Sequence, residues 1–266
     1  MGGYMIGSET YIPAKGYFTK DTKNINWTYA FERPWLFYKT WGRLLYNSAT
    51  NDEVFQNEFN LKYGESGKDL LKASQLAGKT PLTLASIYDF GWDFTLYSEG
   101  FLALSKETGR VDFIDINRLI NQKTLDPVYL SISDFVDAGL SNKPKDAKDI
   151  SPLQTALKLR EDCTNALDIV RNKNSGTNQA LKSEIGDIQI WANLGLYLAK
   201  KEEAGVALYT FRKTGDIEQQ NLAIKYLVDV KKYWEEVVRF QSHFISICLW
   251  YTLANKRILL RLKKIS

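Results

Sequence analysis

Twenty residues, Trp27-Thr-Tyr-Ala-Phe-Glu-Arg-Pro-Trp-Leu-Phe-Tyr-Lys-Thr-Trp-Gly-Arg-Leu-Leu-Tyr46, carry eight aromatic rings, and the rest of the chain is read outward from them. From Pro34 onward the spacing predicts a helix. Proline suits a first helical turn, where its missing N–H leaves no bond unmade. Trp35, Tyr38, Trp41 and Leu45 then recur at steps of three and four, with Lys39 and Arg43 as a polar flank. Ahead of that helix, Trp27, Tyr29, Glu32 and Arg33 fall in a loop. Flat rings beside a carboxylate and a guanidinium fit a sugar site, and they equally fit a locked domain junction. Both readings stay open.

Toward the N-terminus, residues 3–7 (Gly-Tyr-Met-Ile-Gly) read as a short buried strand, followed by the loop Ser8-Glu-Thr-Tyr11. One strand cannot satisfy its own backbone N–H and C=O groups. No second convincing strand follows, so this segment reads as severed from a sheet whose other members are missing.

Downstream the pattern is helical. Thr50-Asn-Asp-Glu53 reads as a capping box, Gly64 as a stop, Ser66–Asp69 as the next start, and Thr80-Pro81 as a cap followed by proline. Tyr88–Glu99 forms a second aromatic–acidic cluster, holding Trp92, Asp93, Tyr97 and Glu99, in which Asp93 also suits a helix N-cap. Residues 105–150 are the least regular. Ser151-Pro-Leu-Gln154 then opens a long helix with Cys163 on its apolar side. After the turn 172–178 comes a helix of about thirty residues. Gly215-Asp216 turns the chain into a last helix whose seam is read as Ala223, Tyr226, Val230, Tyr233, Val237, Phe240 and Phe244. The expected fold class is therefore all-α: a multi-helix domain ending in a long antiparallel hairpin, with one short N-terminal strand left from a truncated barrel. The expected organisation is a strand-and-loop remnant at 1–26, a helical domain at 27–246 and a basic tail at 247–266.

The charge balance excludes some functions. The formal charge is +4, but Lys256, Arg257, Arg261, Lys263 and Lys264 crowd the last eleven residues. Without those five, 30 basic residues face 31 acidic ones. No basic face for nucleic acid is implied. Contact with a membrane surface is expected, if at all, only through the amphipathic basic tail. Two isolated cysteines and the single His243 give neither a disulfide framework nor a zinc ligand set, and no cofactor is expected. No window approaches the roughly eighteen apolar residues of a membrane span. The opening Met1–Ile6 lacks the basic and apolar regions of a signal peptide.

Four stretches carry a resemblance. Gly2–Tyr11 resembles a last barrel strand with its loop. Phe31–Trp35 with Trp41–Asn47 resembles the entry helix of a helical domain. Trp92–Glu99 resembles a second aromatic–acidic block. Glu184–Ile188 with Ala204–Leu208 and Trp234 resembles a closing hairpin. Together they are similar to the C-terminal part of glycoside hydrolases built as a TIM barrel followed by an all-helical domain. The resemblance implies a fragment lacking most of the barrel, inactive by itself, from an exported family whose partner is an oligosaccharide or polysaccharide.

On the logic that barrel enzymes keep their chemistry at the C-terminal ends of strands, the resemblance implies Glu9 as the catalytic carboxylate. Glycoside hydrolysis needs a second carboxylate, for which Asp93 and Glu99 are the candidates in this chain. Trp27, Tyr29, Trp92 and Tyr97 are placed to stack on the C–H faces of sugars, with Arg33 beside them. The plainer readings stand alongside: a helix cap, exposed acids paired to Arg33 or Arg43, and rings that pack a core. A helical interaction scaffold is the rival function, although no repeat of fixed period is visible.

Overall fold

The computed structural model describes residues 32, 35–89, 102–104, 111–141 and 148–244. The strand expected at 3–7, the helix start expected at Asp93 and the tail 247–266 lie outside them. The chain is all-α. Among the described residues the helices are α1 (Trp35–Tyr46), α2 (Asp52–Tyr63), α3 (Gly67–Ala77), α4 (Lys79–Ile87), α5 (Ile116–Asn121), α6 (Ile132–Leu140), α7 (Pro152–Val170), α8 (Gln179–Thr214) and α9 (Ile217–Phe244). One antiparallel pair of three-residue strands, β1 (Leu102–Leu104) and β2 (Val111–Phe113), interrupts them, with Ala103 opposite Asp112. Strands that short have too few alternations for a period-two pattern to stand out in sequence.

Local chemistry sets the helix ends. At α7 the Gln154 N–H donates to Ser151 Oγ at 3.2 Å while the Ser151 N–H donates to Gln154 Oε1 at 2.9 Å, completing the expected capping box. Gly64, at φ 66°, ends α2, and Gly215, at φ 73°, turns α8 into α9; both conformations favour a residue without Cβ. Two expected caps move. Asn51, not Thr50, caps α2, accepting the Glu53 N–H at 3.0 Å, while the Thr50 hydroxyl donates back to the Asn47 carbonyl. Asparagine is at least as good a cap as threonine, and Thr50 closes the turn before it. Thr80 lies inside the first turn of α4 and is buried; its hydroxyl donates to the Trp191 carbonyl at 3.3 Å and sits 3.6 Å from Cys163 Sγ.

The chain divides into two compact units, with boundaries inside α3, α8 and α9. The first takes Met1–Leu71, Lys173–Gly186 and Arg239–Ser266, and its described core includes Phe55, Phe59, Leu70 and Leu181. Along α2, Phe55, Phe59 and Tyr63 repeat every four residues, which puts all three on one buried stripe.

The second unit takes Lys72–Asn172 and Asp187–Val238. Here α4, α7 and α8 meet where Gly195 lies against Cys163 and Thr80. Cys163 is fully buried, as its place on the apolar face of α7 requires, and burial pushes its thiol up to about 11. The hairpin of α8 and α9 is antiparallel: Tyr197 packs on Trp234 with ring centroids 5.4 Å apart, and Lys200 sits 4.6 Å over the Tyr226 ring. The buried stripe of α9 is Ala223, Leu227, Val230, Trp234 and Val237. Tyr226 and Tyr233, expected in the seam, occupy its half-buried border instead. Steps of three then four, and four then three, are equally regular, and at the border a tyrosine keeps its hydroxyl near water.

Four consecutive charges in α8 lie within this unit. Lys201, Glu202 and Glu203 are all buried. The Lys201 ammonium donates to the Ile114 carbonyl and, at 2.7 Å, to the Tyr197 hydroxyl. Glu203 accepts from Arg160 and Lys200 at 2.5 Å each. Burial raises the Glu202 carboxyl to about 8, against the lowering pull of Lys201.

Candidate functional site

Helix α1 carries the described part of the aromatic stretch, Trp35–Tyr46, at the surface of the first unit. None of its residues is fully buried, and Phe37, Leu45 and Tyr46 are exposed. Its anchor is Trp35, in the first turn, whose ring lies 5.0 Å from Phe59 and 6.2 Å from Tyr63 in tilted geometry. Such pairs contribute roughly 0.5–1.5 kcal/mol beyond the area they bury.

A polar relay runs through the same rings. The Trp35 indole N–H donates to the Tyr63 hydroxyl at 3.1 Å, and that hydroxyl donates to Glu184 Oε2 at 2.7 Å. Indole nitrogen is a donor only, so the tyrosine must turn its own proton onward, and the carboxylate receives it. Lys62 places its ammonium 4.6 Å above the Trp35 ring. Burial lowers the Lys62 pKa, while the charges of Glu184 and Glu32 act in the opposite direction. The exposed edge of the cluster is also ionic. Glu58 accepts from Lys39 at 2.6 Å and from Arg43 at 3.4 Å, and the Lys39 hydrogen bond is the main cause that holds its carboxyl below the usual range. Arg43 thus pairs with Glu58. In the same unit, Lys173 reaches Asp69 at 2.6 Å across 104 positions of sequence.

Of this cluster only the Trp35 ring is half-exposed, with Phe59 and Tyr63 buried against it and carboxylate and ammonium groups held at its margin. Chemically it suits a ligand with an apolar face and hydroxyl edges. Among the described residues, no group of three His, Cys, Asp or Glu side chains is placed to hold a metal ion, and no helix is long and apolar enough to cross a membrane.

The residues singled out from sequence, Glu9, Trp27, Tyr29, Arg33, Trp92, Asp93, Tyr97 and Glu99, lie outside the described residues. Their described neighbour is Glu32, whose charge acts on Lys62. Sequence reasoning passed over Tyr63 and Lys62, and it quoted Glu184 without giving it a role. The period of α2 was the available signal for Tyr63. Glu184 lies 121 positions away from Tyr63, and no local pattern joins them.

No family model matches the sequence, and no curated protein matches it in sequence. Among solved structures, one similar to this chain is a GH138 enzyme targeting pectin rhamnogalacturonan II, at a TM-score of 0.63 and 14% identity. The match covers 88% of this chain and 38% of that protein, so the chain spans well under half of its length. The likeness is one of fold alone, and it extends to the helical architecture described above.

Proposed function

We propose that residues 27–246 form the helical domain of a glycoside hydrolase-like protein, and that this domain supports glycan binding beside a catalytic barrel. Residues 1–26 belong to that barrel in this reading, with Glu9 as a carboxylate at its strand end. In this reading Trp27, Tyr29, Arg33, Trp92, Asp93, Tyr97 and Glu99 are glycan-contacting residues, and the Trp35–Tyr63–Glu184 cluster of the first unit supplies a contact of its own. The observation that carries the proposal is the fold shared with a pectin-targeting enzyme over 88% of the chain. The aromatic–acidic make-up of the Trp35 cluster supports the same ligand class. The test is binding and hydrolysis of pectic oligosaccharides by the full chain. Binding without hydrolysis, weakened by Trp92→Ala, is the expected result. Binding untouched by Trp92→Ala would remove that residue from the site, and absence of any carbohydrate affinity would contradict the reading.

The second reading, a helical interaction scaffold, draws on the exposed Phe37, Leu45 and Tyr46 of α1. A stoichiometric protein partner combined with no affinity for glycans would favour it.

A further inference from the structure

In the second unit a cavity of about 420 Å³ lies beside α4 and α7. That volume falls in the roughly 300–1,000 Å³ of small-molecule sites. Its polar lining comes from Lys79 at the start of α4, Gln154, Lys158 and Asp162 of α7, and Tyr129 and Asp126 ahead of α6. Leu82, Ile150 and the buried Leu159 supply an apolar strip.

The hydrogen-bonding capacity of this lining is only partly used. The Asp162 side chain, 5% exposed, has one oxygen 3.0 Å from the Lys79 ammonium and the other 3.2 Å from that of Lys158. An ionised carboxylate accepts at about four lone-pair positions, so acceptor capacity remains after both contacts. Each ammonium has three N–H groups and commits one to Asp162. Gln154 spends its oxygen on the Ser151 capping box, and its amide NH₂ has no partner among the described residues. The Tyr129 hydroxyl likewise has none there.

Charge and polarity then choose the ligand. Two ammonium groups face two carboxylates, which leaves no net attraction for an anion. A purely apolar guest would strip water from those charges without replacing its hydrogen bonds, which is costly. A ring that presents hydroxyls as both donors and acceptors, with a C–H face for the apolar strip, satisfies all the groups together. We infer that this cavity is a sugar subsite of the helical domain that takes an uncharged mono- or disaccharide unit, an inference that rests on the glycan-binding reading above and adds a contact in the second unit to that of the Trp35 cluster in the first.

The test uses the full chain with three probes: methyl α-L-rhamnopyranoside as an uncharged ring, galacturonate as its charged counterpart, and rhamnogalacturonan II oligosaccharides. Tyr129→Phe removes a hydroxyl and Lys158→Ala an ammonium from the lining, and thermal melting checks that both variants stay folded. Each variant is expected to bind the methyl glycoside about five- to tenfold more weakly than the wild-type chain. Failure of the wild-type chain to bind the glycoside, wild-type affinity retained in both cavity variants, or a preference for galacturonate would overturn the inference. Oligosaccharide binding lost in Trp35→Ala but kept in both cavity variants would overturn the subsite and leave the glycan-binding reading standing. Glycoside binding weakened by the cavity variants, without any oligosaccharide binding, would support the subsite and contradict the pectic reading.

Discussion

The Tyr63 hydroxyl donates to Glu184 Oε2 at 2.7 Å, joining the end of α2 to α8 across 121 positions of sequence. The same hydroxyl accepts from the Trp35 indole, so one oxygen ties three helices of the first unit. Tyr63→Phe keeps the ring and removes that oxygen, and it leaves the indole N–H without its acceptor. A loss of about 1 kcal/mol is expected, seen as a lower urea midpoint with an unchanged slope. An unchanged midpoint would mean that the relay contributes nothing to stability.

The crossing of α4, α7 and α8 gives a second prediction. A Cβ on Gly195 would overlap both Cys163 Sγ and Thr80 Oγ1. Gly195→Ala should therefore destabilise by roughly 1–3 kcal/mol, the usual range for overpacking a core. Cys163→Ala removes one of the two obstacles. The double variant should cost less than the sum of the two single ones, and denaturation of all three proteins measures the coupling. Simple additivity would show that the contact does not limit the packing.

Cys163 also makes a chemical prediction. The thiolate is the reactive form, and burial holds this thiol up at about 11. Alkylation with iodoacetamide at pH 8, read by mass spectrometry at this residue, should be very slow in the folded chain and rise with denaturant along the unfolding curve. Ready labelling under native conditions would contradict the burial of α7 against α8.

Glu202 sets a pH dependence. Its ordinary carboxyl value is 4.5, and in the folded chain the proton is held up to about 8. Between those values the unfolded chain releases the proton and the folded chain keeps it, so rising pH favours unfolding. The stabilising difference is fully present below about 4.5 and is lost as pH approaches 8. Glu202→Gln imitates the protonated acid and cannot ionise. Relative to wild type it should gain stability steadily from pH 5 to pH 8, reaching at most a few kcal/mol. Parallel stability curves for the two proteins would contradict this assignment.

What the sequence made legible was whatever a few neighbouring residues decide. Ser151, Pro152 and Gln154 announce the start of α7 because a capping box is complete within four positions. Gly64 and Gly215 mark helix ends for an equally local reason. The hairpin of α8 and α9 was readable from period alone, but its register was not: choosing between Tyr226 and Leu227 requires knowing what α8 presents to them. The run Lys200-Lys-Glu-Glu203 carries no local sign of burial, and only the tertiary partners Ile114 and Arg160 show how Lys201 and Glu203 become buried. Thr80 was misplaced for the same reason, since its partner Cys163 lies 83 positions away. Of the aromatic platform, the Trp35 helix was visible in sequence and the carboxylate that completes it was not.

The most direct test of the account is calorimetric titration of rhamnogalacturonan II oligosaccharides into the full chain and into Trp35→Ala, below the melting temperature of both. Measurable affinity in the wild type, reduced about tenfold or more when the indole platform is lost, is the predicted result. No heat of binding in the wild type, or equal affinity in the two folded proteins, would contradict the claim that this helical fold presents its aromatic cluster to a glycan.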